Sequence, residues 1–374
     1  MIPVNKPYIP KKTLYCLMRA VMSGNLSGNG KYTGLCQKWF EKRFGFHKAI
    51  LTSSCTDALE MSAILSDLKP GDEVILPSFT FMSTANPFLL RGAGLAFADC
   101  EQDVPNIDPA QVENLITSRT KAIVVVHYSG MACDMDRIME IAAAHHLLVI
   151  EDAAHSIDGF YKGKALGSIG HFGAFSFHST KNIISGEGGL LVVNDNGFIK
   201  RAEIIWEKGT NRAAFHRGEV DRYNWVDIGS SFLPSDLIAS VLYSQLKSFD
   251  RIQEARKKIW WEYYGRLQPL ETEGFLKRPV IPEFSTVNGN FFFILAHSLD
   301  ERDRLQNHLK KRGIQTTFHY FPLHTSPYYR DKYKGPDLPN ARRFSDCILR
   351  LPFYYGLRQN QIESVVKAIR SFYK

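Results

Sequence analysis

Cysteine is scarce and unpatterned in this chain. Six thiols lie far apart, at Cys16, Cys36, Cys55, Cys100, Cys133 and Cys347, and none forms a C-x-x-C pair. A disulfide framework and a structural zinc site are therefore not expected, and no other grouping points to a metal. Long apolar runs are also missing. Candidates such as Leu147–Ile150 stop at a charge, so no membrane span is expected. The opening Met-Ile-Pro-Val-Asn-Lys-Pro has no basic stretch followed by an apolar one, unlike a secretory signal, and a cytoplasmic location is the expectation. Neither an internal repeat nor a low-complexity tract is present. Charge of one sign does not dominate either: 46 Lys and Arg face 38 Asp and Glu, for a net +8. The basic residues are spread thinly. Short clusters such as Arg256-Lys257-Lys258 and Lys310-Lys311-Arg312 read as solvated helix faces, and nucleic acid is not the expected partner. A mildly basic surface does steer small anions.

What is present is an ordinary globular composition, 44% hydrophobic and 22% charged over 374 residues, long enough for two or three domains. From about residue 48 to 195, short apolar runs alternate with helical segments. Strands are expected at Lys48–Leu51, Glu73–Leu76, Leu95–Ala98, Ala122–Val126, Leu147–Ile150, Ala174–Phe177 and Leu190–Val193. Helices are expected between several of them, at Thr56–Leu68, Thr80–Leu90, Pro109–Leu115 and Met135–Ala144. This is the pattern of an α/β domain on a mainly parallel sheet, which holds its ligands at the carboxyl ends of the strands. After residue 196 a helix at Ile199–Glu207 leads into a polar, aromatic segment, Lys208–Ser231, long enough to be a binding or interface loop. A long helix follows from Pro234 to about Tyr264, in one piece or two. Phe291–Leu295, a helix at Asp300–Lys311 and Thr316–Tyr320 then suggest a small α+β domain. The expected division is 1–250 for the large domain and 251–374 for the small one.

Three features of the α/β half carry chemistry. The strand Leu147–Ile150 ends in Glu151-Asp152-Ala153-Ala154-His155. Asp152 there either caps a following helix or faces a ligand. If the ligand is pyridoxal 5'-phosphate (PLP), the carboxylate keeps the pyridine nitrogen protonated, so the ring can accept electrons. Next, Phe175-Ser176-Phe177-His178-Ser179-Thr180-Lys181-Asn182 puts a lysine just past a strand, followed by Gly186-Glu187-Gly188-Gly189. Lys181 is either a surface turn residue or a buried amine of lowered pKa, the form that attacks a carbonyl. Lastly, Leu51-Thr52-Ser53-Ser54-Cys55-Thr56-Asp57 runs from a strand into a helix start. That is simple capping by Thr56, a phosphate site at free helix N–H groups, or both.

The order and spacing of these strings resemble the DegT/DnrJ/EryC1/StrS sugar aminotransferases, of the fold-type I PLP class. The resemblance runs over nearly the whole chain. It takes in Gly24-Asn25-Leu26-Ser27-Gly28, Thr56-Asp57-Ala58-Leu59, Gly71-Asp72-Glu73-Val74-Ile75, Pro77-Ser78-Phe79-Thr80-Phe81 and Glu151-Asp152-Ala153-Ala154-His155. Ser176-Phe177-His178 leading to Lys181, His319-Tyr320, Pro322-Leu323-His324 and Leu351-Pro352 complete it. The resemblance implies a seven-stranded, mainly parallel sheet between helices and a smaller C-terminal α+β domain. It implies that Lys181 bonds the cofactor and Asp152 pairs with its pyridine nitrogen. Thr56, the Asp57 N–H and Ser176 would hold the phosphate, and His155 would lie near the ring hydroxyl. Phe79 would stack on the ring, although the same residue reads equally well as core.

One string departs from the family. Where many members have G-Y-N-Y-R, this chain reads Gly229-Ser230-Ser231-Phe232-Leu233. Ser231 is left as a phosphate contact from a neighbouring subunit, and Leu233 cannot replace the arginine. With Glu207-Lys208-Gly209-Thr210-Asn211-Arg212, this context resembles the branch that aminates dTDP-4-keto-6-deoxyglucose at C4 with L-glutamate. That branch makes dTDP-4-amino-4,6-dideoxygalactose for an envelope polysaccharide, such as lipopolysaccharide O-chain or enterobacterial common antigen. Asn25, Tyr223, His319, Tyr320 and His324 are the residues expected to meet the sugar nucleotide, in a homodimer with its sites at the subunit interface. Amination at C3, or at C4 with the opposite stereochemistry, is the alternative. A PLP-dependent sugar dehydratase fits less well, because it generally has His where Lys181 stands.

Overall fold

Six strands of the chain bury all but at most one residue each, and burial on both faces places them in the middle of a layered sheet, which a seventh, half-exposed strand closes at one edge. A computed structural model describes all 374 residues. The strands are β1 (Lys48–Thr52), β2 (Glu73–Pro77), β3 (Gly94–Ala98), β4 (Thr120–Val126), β5 (Leu148–Asp152), β8 (Phe172–Ser176) and β9 (Gly189–Val193). Between β5 and β8 lies a small hairpin of β6 (Phe160–Tyr161) and β7 (Lys164–Ala165). The sheet order is β1-β9-β8-β5-β4-β2-β3. Pairing is parallel from β8 through β5, β4 and β2 to β3, and antiparallel where β9 inserts between β1 and β8. The run Thr-Lys-Ala-Ile-Val-Val-Val of β4 shows why: six of its residues are buried, and β-branched side chains fill both faces.

All seven strands fall within a residue or two of their expected places. Pro109–Leu115 and Met135–Ala144 are helices as expected. The expected helix Thr80–Leu90 is instead broken into a short turn, Met82–Thr84, and a helix Asn86–Leu90. Pro87 explains the break: it lacks the N–H that would continue the helical ladder from the preceding turn, and it sits instead in the first turn of a new helix, where no such donor is needed. Thr316–Tyr320 forms no strand, and its backbone pairs with β11 through a single Thr317–Arg350 bridge. The long helix after Pro234 comes in two pieces, Asp236–Leu246 and Phe249–Thr272. Two helices that the periodicity did not single out, Lys12–Met22 and Lys31–Phe44, pack on Asp236–Leu246. Neither has a side-chain cap, so both lack the usual start signal.

In the C-terminal part, β10 (Phe293–Leu295) pairs with β11 (Ile348–Arg350) beside the helices Leu299–Lys311, Pro339–Cys347 and Gln359–Tyr373. One hydrophobic cluster of 59 buried residues runs from Ile50 on β1 to Ile369 in the last helix. It joins the sheet to the C-terminal elements and fixes the groove between them.

Candidate active site

Side chains converge where β2, β4, β5 and β8 end and β11 approaches. Asp152 closes β5 and is buried. No helix begins after it, so it caps nothing. Its Oδ2 accepts a hydrogen bond from Thr84 Oγ1 at 2.7 Å, and its Oδ1 accepts from the Ala154 N–H at 3.1 Å. The hydroxyl of Thr80 lies 2.7 Å from that of Thr84, which fixes the direction of the donated bond. Burial raises the Asp152 pKa, against the pull of these hydrogen bonds and of Lys181 and His127. No lysine or arginine forms an ion pair with it. A buried carboxylate without a cation is costly, and a protonated ring nitrogen at this spot would supply one.

Lys181 lies in the turn after β8, its N–H donating to the His178 carbonyl at 2.9 Å. It is not a surface lysine. Burial brings the amine down to about 8, opposed by Cys55 and Asp152 and reinforced by Arg350. Such a group has a usable share of free base near neutral pH.

At the third corner, helix Cys55–Leu65 starts from Ser54, whose hydroxyl accepts from the Asp57 N–H at 3.0 Å. Ser54 is therefore the cap, and Thr56 is not. Thr56 instead donates to Ser83 Oγ at 3.0 Å. The N–H groups of Cys55 and Thr56 have no partner within the chain, as the first helical positions do not. Gly189 packs against this turn, and a Cβ there would meet the Ser54 carbonyl at 2.3 Å. Ser176 ends β8, its hydroxyl accepting from the His178 N–H at 3.4 Å. These free donors, the uncompensated Asp152 and the deprotonatable Lys181 match the phosphate, ring nitrogen and aldehyde of PLP.

Aromatic rings wall the groove. Phe79, 1% exposed, lies 5.3 Å from the Tyr128 ring and 6.1 Å from Tyr320, and it belongs to the core cluster as well. His155 is buried, with Nε2 3.3 Å from the Tyr320 hydroxyl. Burial holds its pKa well below the usual range, with Lys181, Arg350 and His319 adding to the effect, so it is neutral. His319 is pushed down to about 3 by burial, then by Arg350 and Lys181. Burial lifts the Tyr320 phenol.

The remaining expected residues sit elsewhere. His324 is buried against Ser78, Nδ1 to Oγ 2.6 Å, and its charged neighbours are Arg342, Asp337 and Asp99 rather than the Lys181 group. Ser231 is exposed and bridges to Glu207, while the next carbonyl, Phe232, accepts from the Ser53 N–H at 3.0 Å. Asn25 and Tyr223 are exposed and contact none of the Lys181 group. Sequence reasoning missed Thr84, Tyr128 and Arg350. Thr84 sat inside an expected helix, and Arg350 directly precedes the quoted Leu351-Pro352. It also missed a buried amide network behind Lys181. Asn182 donates to Gln253 Oε1 and to the Asn288 carbonyl, both at 3.1 Å, and accepts from Asn290 at 2.6 Å.

The profile of the DegT/DnrJ/EryC1/StrS aminotransferase family matches residues 9–370. The chain is 34% identical to the spore coat polysaccharide biosynthesis protein SpsC of Bacillus subtilis (strain 168) over 390 aligned positions, covering 100% of this chain and 97% of that protein. Among solved structures, the aminotransferase TlmJ from Streptoalloteichus hindustanus superposes with a TM-score of 0.90 at 29% identity, covering 99% of this chain and 98% of that one. An aminotransferase from Psychrobacter cryohalolentis superposes with a TM-score of 0.92 at 26% identity, covering 98% of each chain.

Proposed function

Because the chain belongs to the DegT/DnrJ/EryC1/StrS aminotransferase family, whose cofactor is PLP, we propose that it moves an amino group from L-glutamate to a nucleotide-linked keto-sugar. The specific reading is amination of dTDP-4-keto-6-deoxyglucose at C4, giving dTDP-4-amino-4,6-dideoxygalactose for an envelope polysaccharide. The observation that carries the chemistry is the pairing of Lys181, brought down to about 8, with a buried Asp152 that has no cation. Bound PLP would supply an aldehyde carbon and an electron-accepting pyridine ring.

Lys181 Nζ would hold the cofactor at its aldehyde carbon and Asp152 would sit at the ring nitrogen. The Thr56 and Ser176 hydroxyls and the free N–H groups at Cys55 and Thr56 would hold the phosphate. The Asp57 N–H already serves Ser54 and would be shared. Phe79 and Tyr128 would confine the ring from one side, and His155 would face its hydroxyl as a neutral imidazole. As a free base, Lys181 Nζ would take a proton from the donor Cα in the first half of the reaction and would deliver one to the sugar carbon that receives the amine in the second. Thr84, fixed by Thr80, holds Asp152 in place throughout. The aromatic walls exclude water.

His319 and Tyr320 border the sugar pocket in this reading. Asn25, Tyr223 and Ser231 would reach a site from a second copy of the chain, and His324 would steady the loop from behind. A homodimer is supported by apolar residues left exposed on the first helix, among them Leu14 at 76% and Met22 at 74%, and by Trp225 at 81% in the long loop. The C4 reading rests on Gly229–Leu233, where Leu233 packs on the core cluster in place of a family arginine.

The test is the visible absorbance of the PLP-loaded protein. L-glutamate should bleach the band, dTDP-4-keto-6-deoxyglucose should restore it, and NMR of the product should show an axial amine at C4. A band indifferent to glutamate defeats the transaminase reading. Restoration by a 3-keto-sugar alone defeats the C4 assignment.

A further inference from the structure

Arg350 is a guanidinium with no carboxylate. It ends β11, where its N–H donates to the Thr317 carbonyl at 2.7 Å and its own carbonyl accepts from the Thr317 N–H at 3.2 Å. The side chain runs into the groove, with Cζ 3.7 Å from the centre of the Phe291 ring and a terminal nitrogen on His319 Nδ1. Its Nε is buried without a partner. Arg302 also has buried nitrogens without a hydrogen bond, but it lies beside the Asp303 carboxylate, and other enclosed arginines have partners. Arg278 and Arg201 pair with Glu271 and Asp227, and Arg256 donates to the carbonyls of Gly289 and Asn290. Arg350 alone of these faces the reacting centre, close enough to bear on Lys181, His155 and His319.

We propose that Arg350 is the subsite for the α-carboxylate of the amino donor; this rests on the transaminase reading above. Three observations select that ligand. The groups packed around the guanidinium are Phe291, Tyr128, Tyr320 and two neutral imidazoles, and the charged side chains that bear on it, Lys181 and Arg256, are both cations, so it awaits a negative charge. A planar fork between flat aromatic walls matches a planar carboxylate. A diphosphate carries more charge than one guanidinium can offset and asks for more donors than these rings provide. Lastly, the α-carboxylate is bonded to the carbon whose proton Lys181 takes, so its receptor has to lie beside Lys181, as Arg350 does. The keto-sugar has no carboxylate. One site therefore serves two unlike substrates, with Arg350 engaged by the donor and left to His319 and solvent when the sugar binds.

The experiment compares PLP-loaded wild type, Arg350→Gln and Arg350→Lys. Calorimetry measures binding of glutarate, a dicarboxylate that has no amine to react. Visible absorbance then gives the concentration dependence for L-glutamate and, separately, for the sugar substrate. Truncating one side of an enclosed charge pair costs 2–5 kcal/mol or more, so glutarate and glutamate should each weaken about 30-fold or more in Arg350→Gln. Part of the loss should return in Arg350→Lys. PLP content, the position of the band and the sugar dependence should stay at wild-type values. With the wild-type protein, L-isoglutamine, whose α-carboxylate is an amide, should lose a comparable factor, and L-glutamine should lose less. That comparison holds even where a variant folds poorly. Unchanged glutarate affinity in both variants, a loss confined to the sugar, or a preference for isoglutamine over glutamine would each overturn the assignment. A wild-type protein that ignores glutamate but binds glutarate through Arg350 would sink the transaminase reading and leave the anion subsite standing.

Discussion

A lysine at about 8 and an ordinary lysine at 10.5 differ in what an amine reagent can do to them. In the cofactor-free protein, acylation of Lys181 should rise with pH to a midpoint near 8, well below the 10.5 of an ordinary lysine. The sign follows from burial, which disfavours the charged form and so lowers the pKa of a cation. Mass spectrometry of peptides after brief labelling reads the profile. A Lys181 midpoint with the exposed lysines would remove the argument that burial prepares this amine. Lys181→Ala should lack turnover altogether while the fold persists, since no other amine stands in the groove. For Asp152→Asn, activity should drop by about a hundredfold or more, a loss equivalent to at least 2.7 kcal/mol. Circular dichroism should stay unchanged, because the amide still accepts from Thr84. Equal rates would mean that the carboxylate charge is not used.

At the scale of elements, the site depends on contacts that no short string displays. Asn288 is fully buried and donates to the carbonyls of His155 at 2.6 Å and Ile157 at 3.0 Å, while its own carbonyls accept from Asn290 and Asn182. It ties the loop after β5 to the lysine turn and to the chain entering β10. Asn288→Ala strands several buried polar groups and should cost roughly 2–3 kcal/mol. A clear fall in melting temperature by calorimetry, with kcat reduced, is the expected result; an unchanged melting temperature would show that water replaces the amide. The strands that bear the site were readable because their apolar runs stop at chemistry: β5 at Asp152, β8 before Lys181, β1 before the Ser54 cap. Thr84 was not readable. Its role comes from a break at Ala85, ahead of Pro87, that turns the start of an expected helix into a short turn and aims the hydroxyl at Asp152. Arg350 was hidden for a different reason, since its meaning lies in the absence of any acid near it, and only packing of β11 against the groove reveals that. His324 shows the opposite error: its string fits a family motif, yet its ring serves Ser78 rather than the pocket.

For the whole molecule, the question is why Asn25 and Tyr223 lie exposed and apart from Lys181 in their own chain. The first helix leaves Leu14, Tyr15, Met18, Val21 and Met22 open to solvent, a row of apolar side chains that a lone protein would keep in water at a cost. A two-fold pairing that covers this row would bring the segment around Asn25 of one subunit to its partner, and the long loop with Tyr223 can reach the same way. Sites shared between subunits make a definite prediction for mixed dimers. Lys181→Ala alone should be inactive, and the double substitution Asn25→Ala, Tyr223→Ala should be severely impaired. When the two are unfolded together and refolded at equal amounts, half of the dimers are hybrids. Each hybrid then has one site with both faults and one with neither, so about a quarter of wild-type activity should return. If each site were built from a single chain, the hybrid would hold one fault in each site and no activity would return. The mixing experiment therefore separates the two architectures without a structure of the complex, and sedimentation of the same samples checks that dimers formed.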